Sequence, residues 1–280
     1  IDIFKLRIGA LMALTAVAGY VVTPGIRLSS LQLLLLALVV LGASAAAGAF
    51  NQFAERDLDA RMPRTAKRAF VTGAATPDNR WLALIGALLL VSVALGGWAF
   101  NLAVAFHAFM GAFVYGVVYT LWLKRRTPLN IVIGGAAGSF AVLAGAAAAD
   151  PGLSPESALL AVVLFLWTPP HFWALAIVLH DDYARAGVPM LPVVKGDAAA
   201  ARIILVNTVV LVVVSLLPFL FGMGWIYLAG ALTGGGYFVF RAAQLVQSPT
   251  RKAALQCFVA SLVQLSLVLL TAMADVAARM

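Results

Sequence analysis

Asn51-Gln52-Phe53-Ala54-Glu55-Arg56-Asp57-Leu58-Asp59-Ala60-Arg61-Met62-Pro63-Arg64-Thr65-Ala66-Lys67-Arg68 stands between one long apolar run and the next. On a helix, Asn51, Glu55 and Asp59 fall at i, i+4 and i+8 and share one face, each about 6 Å of axial rise from the next. Asp57 points elsewhere but stays near, and Arg61, Arg64 and Arg68 repeat much the same spacing further along. Acidic and amide oxygens beside a basic row, where an apolar helix leaves its bilayer, predict a site for a divalent metal and a diphosphate. Carboxylates hold a hard cation such as Mg²⁺, the cation bridges phosphate oxygens, and arginines neutralise the remaining charge. A solvated, positively charged loop would account for the arginines, but not for three acids and an asparagine within nine residues at a membrane boundary.

The apolar runs on either side set the class of protein. Of 280 residues, 63% are hydrophobic and 11% charged, and the mean hydropathy is +1.01. One soluble core of this size could not bury so much apolar surface. The chain therefore reads as an integral membrane protein, all-α, with no separate soluble domain. Runs near the length of a bilayer crossing fall at 8–22, 31–50, 81–99, 102–123, 131–148, 158–179, 203–221, 225–241 and 253–274, which predicts about nine transmembrane helices in one domain over 1–280. Lys5 and Arg7 precede the first run and no persuasive cleavage site follows it, so it is expected to be a retained span. The lone Cys257 lies in an apolar run, which rules out an internal disulfide and predicts a buried, inert thiol.

The net charge of +8 is a topological signal rather than a nucleic-acid surface. With the N-terminus placed in the cytoplasm and nine crossings, every Lys and Arg falls on the cytoplasmic side except Arg27 and Arg279, as the positive-inside rule requires. The C-terminus is then outside. Two cytoplasmic loops are long, near 51–80 and 180–202, and both carry several acids.

The second of these loops reads His180-Asp181-Asp182-Tyr183-Ala184-Arg185, with Lys195-Gly196 further on. Adjacent Asp181 and Asp182 cannot both face one ion from a regular helix. Asp182 is the favoured ligand, because Tyr183 and Arg185 follow closely, and Lys195 could reach phosphate oxygens as a point charge. A capped helix end followed by a turn is the plain alternative. Acids from both loops around one cavity would supply oxygens for a pair of Mg²⁺ ions. Trp167-Thr168-Pro169-Pro170-His171-Phe172-Trp173 lies within a span. The proline pair is expected to kink it, and an intramembrane His is a functional candidate. His171 could line a cavity for a flat aromatic ligand, ligate iron, move a proton, or merely bond a carbonyl freed by the kink. His107 reads as a satisfied core histidine. Gly134, Gly135 and Gly138 read as close helix packing, and Arg125 and Arg126 as interfacial anchors.

With these stretches in hand, the chain resembles the UbiA superfamily of intramembrane prenyltransferases and is similar to its heme-farnesylating branch. The likeness rests on Asn51 to Asp59, Met62 to Arg68, Tyr119 to Gly135, Trp167 to Ile177 and Asp182 to Pro192. The branch's usual Asp in the first motif is Glu55 here, its Lys-Pro-Arg before the first span is Lys5-Leu6-Arg7, and a proline after the equivalent of Arg68 is Ala69. The resemblance implies a helical bundle around a central cavity in the bacterial inner membrane. It implies transfer of farnesyl from farnesyl diphosphate to a vinyl group of heme B. Mg²⁺, in two ions, would be held by Asn51, Glu55, Asp59 and Asp182, with Asp57 and Asp181 as neighbours. Arg64, Arg68, Lys195, Lys5, Arg7 and Tyr183 would contact the diphosphate, and His171 would contact heme. The implied partners are farnesyl diphosphate, heme B and the lipid bilayer, with a heme A synthase as the open question among proteins and no nucleic acid. The other readings are a UbiA-type enzyme with a quinone-like or other aromatic acceptor, and a transporter or lipid-binding protein.

Overall fold

The computed structural model describes residues 2–279. A short 3-10 turn, Asp2–Phe4, leads into α1 (Leu6–Val22). α2 (Ser30–Ala54) begins at a capping box in which Ser29 and Gln32 satisfy each other's backbone N–H groups. The first long loop holds two single-turn helices, α3 (Arg56–Asp59) and α4 (Ala69–Thr72). α5 (Asn79–Ala99) is capped by Asp78, whose carboxylate accepts from the N–H groups of Arg80 and Trp81. α6 (Leu102–Phe113) runs without a break into a π-helix, Val114–Leu123. α7 (Asn130–Gly134) and α8 (Ala136–Ala149) form the next rod, and α9 (Pro155–Val178) follows a Ser154 cap. The second long loop holds α10 (His180–Ala186) and α11 (Leu191–Lys195). α12 (Asp197–Leu216) passes into a 3-10 turn, Leu217–Phe221, and α13 (Trp225–Gln247) and α14 (Arg251–Ala277) close the chain. No strand occurs among the described residues.

Seven of the described helical rods are long and apolar enough to cross a membrane, where about nine crossings are expected from the sequence. α1 falls short at 17 residues. α13 has 23 residues but carries three consecutive glycines and Arg241. The loop contacts nonetheless sort all of the long rods into traverses between two ends. At one end Lys124 meets Glu55, Arg125 meets Asp57, and the Arg251 guanidinium donates to the Val178 carbonyl. At the other, the Ile26 N–H donates to the Ala149 carbonyl, Asn101 to the Ala147 carbonyl and Arg279 to the Gly222 carbonyl. α1 leads from the first end to the second and α13 leads back, so the described chain makes nine passes.

Small residues allow this packing. A Cβ on Gly145 would lie 1.7 Å from the Ala16 carbonyl oxygen, and one on Gly19 would lie 2.3 Å from that of Val142. α1 and α8 therefore touch backbone to backbone. Large apolar side chains such as Leu34, Leu90 and Val206 are exposed around the outside, as lipid contact requires. α9 sits deepest in the bundle and α5 at its periphery. α9 stays helical through Pro169 and Pro170, the pair from which the sequence predicts a kink. Thr168 above the prolines turns its hydroxyl to the Leu164 carbonyl. The single Cys257 is fully buried.

Candidate active site

The two acidic loops meet at one end of the bundle. Leu58 and Met62 of the first pack with Tyr183, Ala186, Val188 and Met190 of the second. Glu55, Asp182 and Arg64 all act electrostatically on the Tyr183 hydroxyl, whose pKa is raised chiefly by burial.

Asn51, Glu55 and Asp59 do share a face, but not on one straight helix. α2 ends at Ala54, Glu55 is its C-terminal cap with φ −101° and ψ 12°, and α3 starts at Arg56. The four-residue register survives the break, because Glu55 N–H donates to the Asn51 carbonyl and Asp59 N–H to that of Glu55. All three side chains are buried. Arg61, Arg64 and Arg68 do not continue a helical row. The chain from Ala60 to Arg68 is a series of turns, Arg61 and Arg64 are exposed, and Arg68 folds back to the site.

Glu55, Asp59, Asp57 and Asp182 each have their own cation. Lys124 donates to Glu55 Oε2 at 2.5 Å. One Arg68 nitrogen lies 2.7 Å from both Asp59 oxygens. Arg125 clasps Asp57 bidentately on the surface, which holds that carboxyl below its usual range. Asp182 is paired with Arg185 at 2.6 Å and His180 with Asp197 at 2.8 Å. Asn51 accepts from Lys5 Nζ at 2.5 Å and donates from Nδ2 to Thr120 Oγ1 at 3.0 Å. Lys5 also donates to the Tyr115 hydroxyl at 3.2 Å. Burial, then the charges of Arg68 and Lys124, bring its ammonium down to about 7 against the pull of Glu55 and Asp59. Its backbone sits in the left-handed region at φ 48°, a strained position for lysine. Lys124 is the member of this buried cluster that the sequence reading did not single out. It stands beside the two arginines read as anchors, yet it is only 8% exposed, and its Nζ lies 5.5 Å from the Tyr119 ring centre.

No three acidic, histidine or cysteine side chains among the described residues converge on one point. One buried oxygen remains unpaired: Glu55 Oε1 has no hydrogen-bond partner. An unpaired carboxylate oxygen among hard oxygen donors fits Mg²⁺. Asp181, Lys195 and Arg7 are exposed and stand outside this buried set.

Behind the mouth lies a cavity of about 320 Å³, walled mainly by apolar side chains, with Lys5, Tyr115 and Tyr119 at its polar end. The Tyr115 and Tyr119 rings stack at 5.5 Å. Gly134 and Gly135 press against Tyr119 and Thr168, whereas a Cβ on Gly138 would meet nothing within 4 Å, so that glycine opens cavity space rather than a helix contact. His107 also lines the cavity, with Nδ1 buried and unpartnered, so it is not the satisfied histidine expected. His171 does not line it. Its ring is sandwiched between Trp167 at 4.1 Å and Phe258 at 4.5 Å, and Nδ1 is bonded to the Ser261 hydroxyl. Trp167 and Phe172 on either side of it do reach the cavity.

An all-helical bundle with an acidic and basic mouth over an apolar cavity defines a multi-pass membrane protein with an amphipathic site. The chain belongs to the UbiA prenyltransferase family, whose profile matches residues 12–268, and it is a prenyltransferase. Among its relatives, Protoheme IX farnesyltransferase 2 of Paramagnetospirillum magneticum is 55% identical over 98% of this chain and 95% of that one. The fold is similar to that of a digeranylgeranylglyceryl phosphate synthase, with a TM-score of 0.82 at 18% identity over 98% of this chain and 96% of the other. It is also similar to a UbiA homologue from Archaeoglobus fulgidus bound to DMAPP and Mg²⁺, with a TM-score of 0.71 at 17% identity over 95% and 99%.

Proposed function

We propose that this enzyme transfers the farnesyl group of farnesyl diphosphate to a vinyl group of heme B, giving heme O, in the bacterial inner membrane with its mouth on the cytoplasmic side. The observation that carries the reading is the pairing of an anion-gripping mouth with an apolar cavity, in a chain 55% identical to a protein named for that reaction. Asn51, Glu55, Asp59 and Asp182 would hold Mg²⁺, while Asp57 and Asp181, both exposed, would flank them. When bound, Mg²⁺ supplies a Lewis acid that takes up charge on the leaving diphosphate.

The chain's own cations do the remaining electrostatic work. Arg68, Lys124 and Lys5 would grip the diphosphate, with Arg64 and Tyr183 assisting, while Arg7 and Lys195, exposed outside the buried set, would add only long-range attraction. The bond between C1 of the farnesyl chain and the diphosphate oxygen breaks, and the electron pair leaves with the diphosphate. Stabilising that developing charge lowers the barrier. Tyr115 and Tyr119, at the polar end of the cavity, would set aromatic rings near the resulting allylic cation, and the apolar wall would keep water from it. The vinyl terminus bonds to C1. Positive charge then rests on the vinyl carbon next to the ring, where water adds and loses a proton. Farnesyl diphosphate, heme B and water thus give heme O, diphosphate and a proton.

Purified enzyme in lipid nanodiscs, supplied with farnesyl diphosphate, Mg²⁺ and heme B, is expected to yield heme O by chromatography and mass spectrometry, and to lose activity with Asp59→Asn. Farnesylation of a quinone-type acceptor but not of heme would overturn the proposal.

A further inference from the structure

The hydrogen-bond chain around Asn51 has a fixed polarity. The Thr120 hydroxyl has one proton, and it goes to the Tyr115 carbonyl at 2.8 Å. Toward Asn51 it can therefore only accept, and the group facing it at 3.0 Å must be the amide nitrogen Nδ2. The carboxamide oxygen is thereby turned the other way, to the mouth, where Lys5 Nζ meets it. The two ends of the amide agree, since Lys5 in its protonated form only donates.

This polarity depends on the π-helix. A threonine hydroxyl in an α-helix ordinarily bonds the carbonyl four residues back. Thr120 reaches the carbonyl five residues back, that of Tyr115, because Val114–Leu123 is wound at the wider π pitch. That pitch brings Tyr115, Thr120 and Lys124 to the same mouth, and rare π segments recur at functional sites. Thr120 is 2% exposed and Asn51 2%, so water does not compete for either group.

We propose that Thr120 is a positioning residue that sets the Asn51 carboxamide with its oxygen facing the mouth, where it serves the divalent cation. The inference rests on the reading of Asn51 as a metal ligand. Thr120 touches neither substrate nor ion. It acts by removing the alternative flip, in which Asn51 would present two N–H donors to a cation. Outer partners of this kind typically change metal affinity about 10–100-fold when removed.

The test is Mn²⁺ affinity, measured by electron paramagnetic resonance on the full chain in nanodiscs with a non-reactive farnesyl diphosphate analogue. Thr120→Val, which keeps the shape and loses the hydroxyl, is expected to weaken Mn²⁺ about 10–100-fold and to raise the Mg²⁺ concentration for half-maximal rate by the same factor. kcat at saturating Mg²⁺ should stay within about threefold of the original. Thr120→Ser is expected to restore affinity. In an Asn51→Asp background, where both oxygens are equivalent and no flip exists, Thr120→Val should cost little, and this double-mutant cycle separates positioning from general damage. Should Thr120→Val not fold, Thr120→Ala replaces it in the same cycle. Wild-type Mn²⁺ affinity in folded Thr120→Val, or an undiminished loss in the Asn51→Asp background, overturns the proposal. An Asn51→Ala variant that binds Mn²⁺ like the wild type removes the metal-site reading as well. If Asn51→Ala loses the ion and Thr120→Val keeps it, only the role of Thr120 falls.

Discussion

Lys124 and Glu55 are each almost fully buried and bonded at 2.5 Å, so removing either leaves a charge without a partner. Breaking a buried pair by deleting one member costs about 3–5 kcal/mol, whereas replacing both by apolar groups is often neutral. Lys124→Met is therefore expected to lower the thermal midpoint in detergent markedly, and Glu55→Met with Lys124→Met to recover most of the loss. Equal midpoints for wild type and Lys124→Met would show that the pair is not desolvated. Gly138 gives the opposite kind of prediction. A side chain there enters the cavity, not a neighbouring helix, so Gly138→Leu should fold normally. Its turnover of farnesyl diphosphate should fall about tenfold or more, the cost of misplacing a reacting group, with a smaller loss on geranyl diphosphate. An unchanged preference between the two would place the prenyl tail elsewhere. The acids of this site were legible in the sequence because a four-residue spacing survives a helix break. Their counter-ions were less so. Arg68 lies in the same motif as Asp59, but Lys124 is 69 residues from Glu55, a pairing that only the bundle creates. His171 shows the limit in another way. Its intramembrane position marked it as functional, while the residues that enclose it, Trp167 and Phe258, include one 87 positions away on α14.

Among the elements, α1 and α8 depend most on what is absent from their surfaces. Gly145→Ala would set a methyl group into the Ala16 carbonyl, and neither backbone can yield without moving its helix. Overpacking usually costs about 1–3 kcal/mol, and the expected loss is at or beyond the top of that range, read as thermal unfolding. Gly86→Ala on α5 is the control, since nothing lies within 4 Å of its Cβ position and helix propensity favours alanine by up to about 1 kcal/mol. Similar midpoints for the two variants would mean that α1 and α8 can separate at no cost. The apolar length of most elements was readable from composition alone, and so was the close packing of Gly134 and Gly135. The π-helix was not. Its residues carry the same aromatic and branched character as an α-helical span, and its contact across the bundle, Asn51 to Thr120, spans 69 residues of sequence. Pro169 and Pro170 lie within α9, which stays helical through them and packs on α12 and α14.

At the scale of the whole molecule, the contacts between loops constrain topology more tightly than hydropathy does. Glu55 and Asp57 bond Lys124 and Arg125, and Leu58 packs with Tyr183, so the loops near 51–80, 124–130 and 180–195 occupy one face. The pairs of rods between them must each go out and return. The opposite face gathers residues 24–27, the turn at 150–154, Gly222 and Arg279, and holds the two basic residues that the positive-inside count leaves over. The positive-inside rule then predicts that the face bearing the acidic loops is cytoplasmic. The native thiol at Cys257 is buried and will not react with an impermeant maleimide, so single cysteines can be introduced without removing it. On intact cells, Pro151→Cys is expected to be labelled, and Lys67→Cys and Ala184→Cys are not. In inverted vesicles the pattern should reverse. All three positions are exposed, so silence at a site reports the side of the membrane, not burial. Labelling of Lys67→Cys and Ala184→Cys from opposite sides would separate the two acidic loops and dissolve the shared diphosphate mouth. Labelling of both from outside would leave the mouth intact but move its access to the other leaflet.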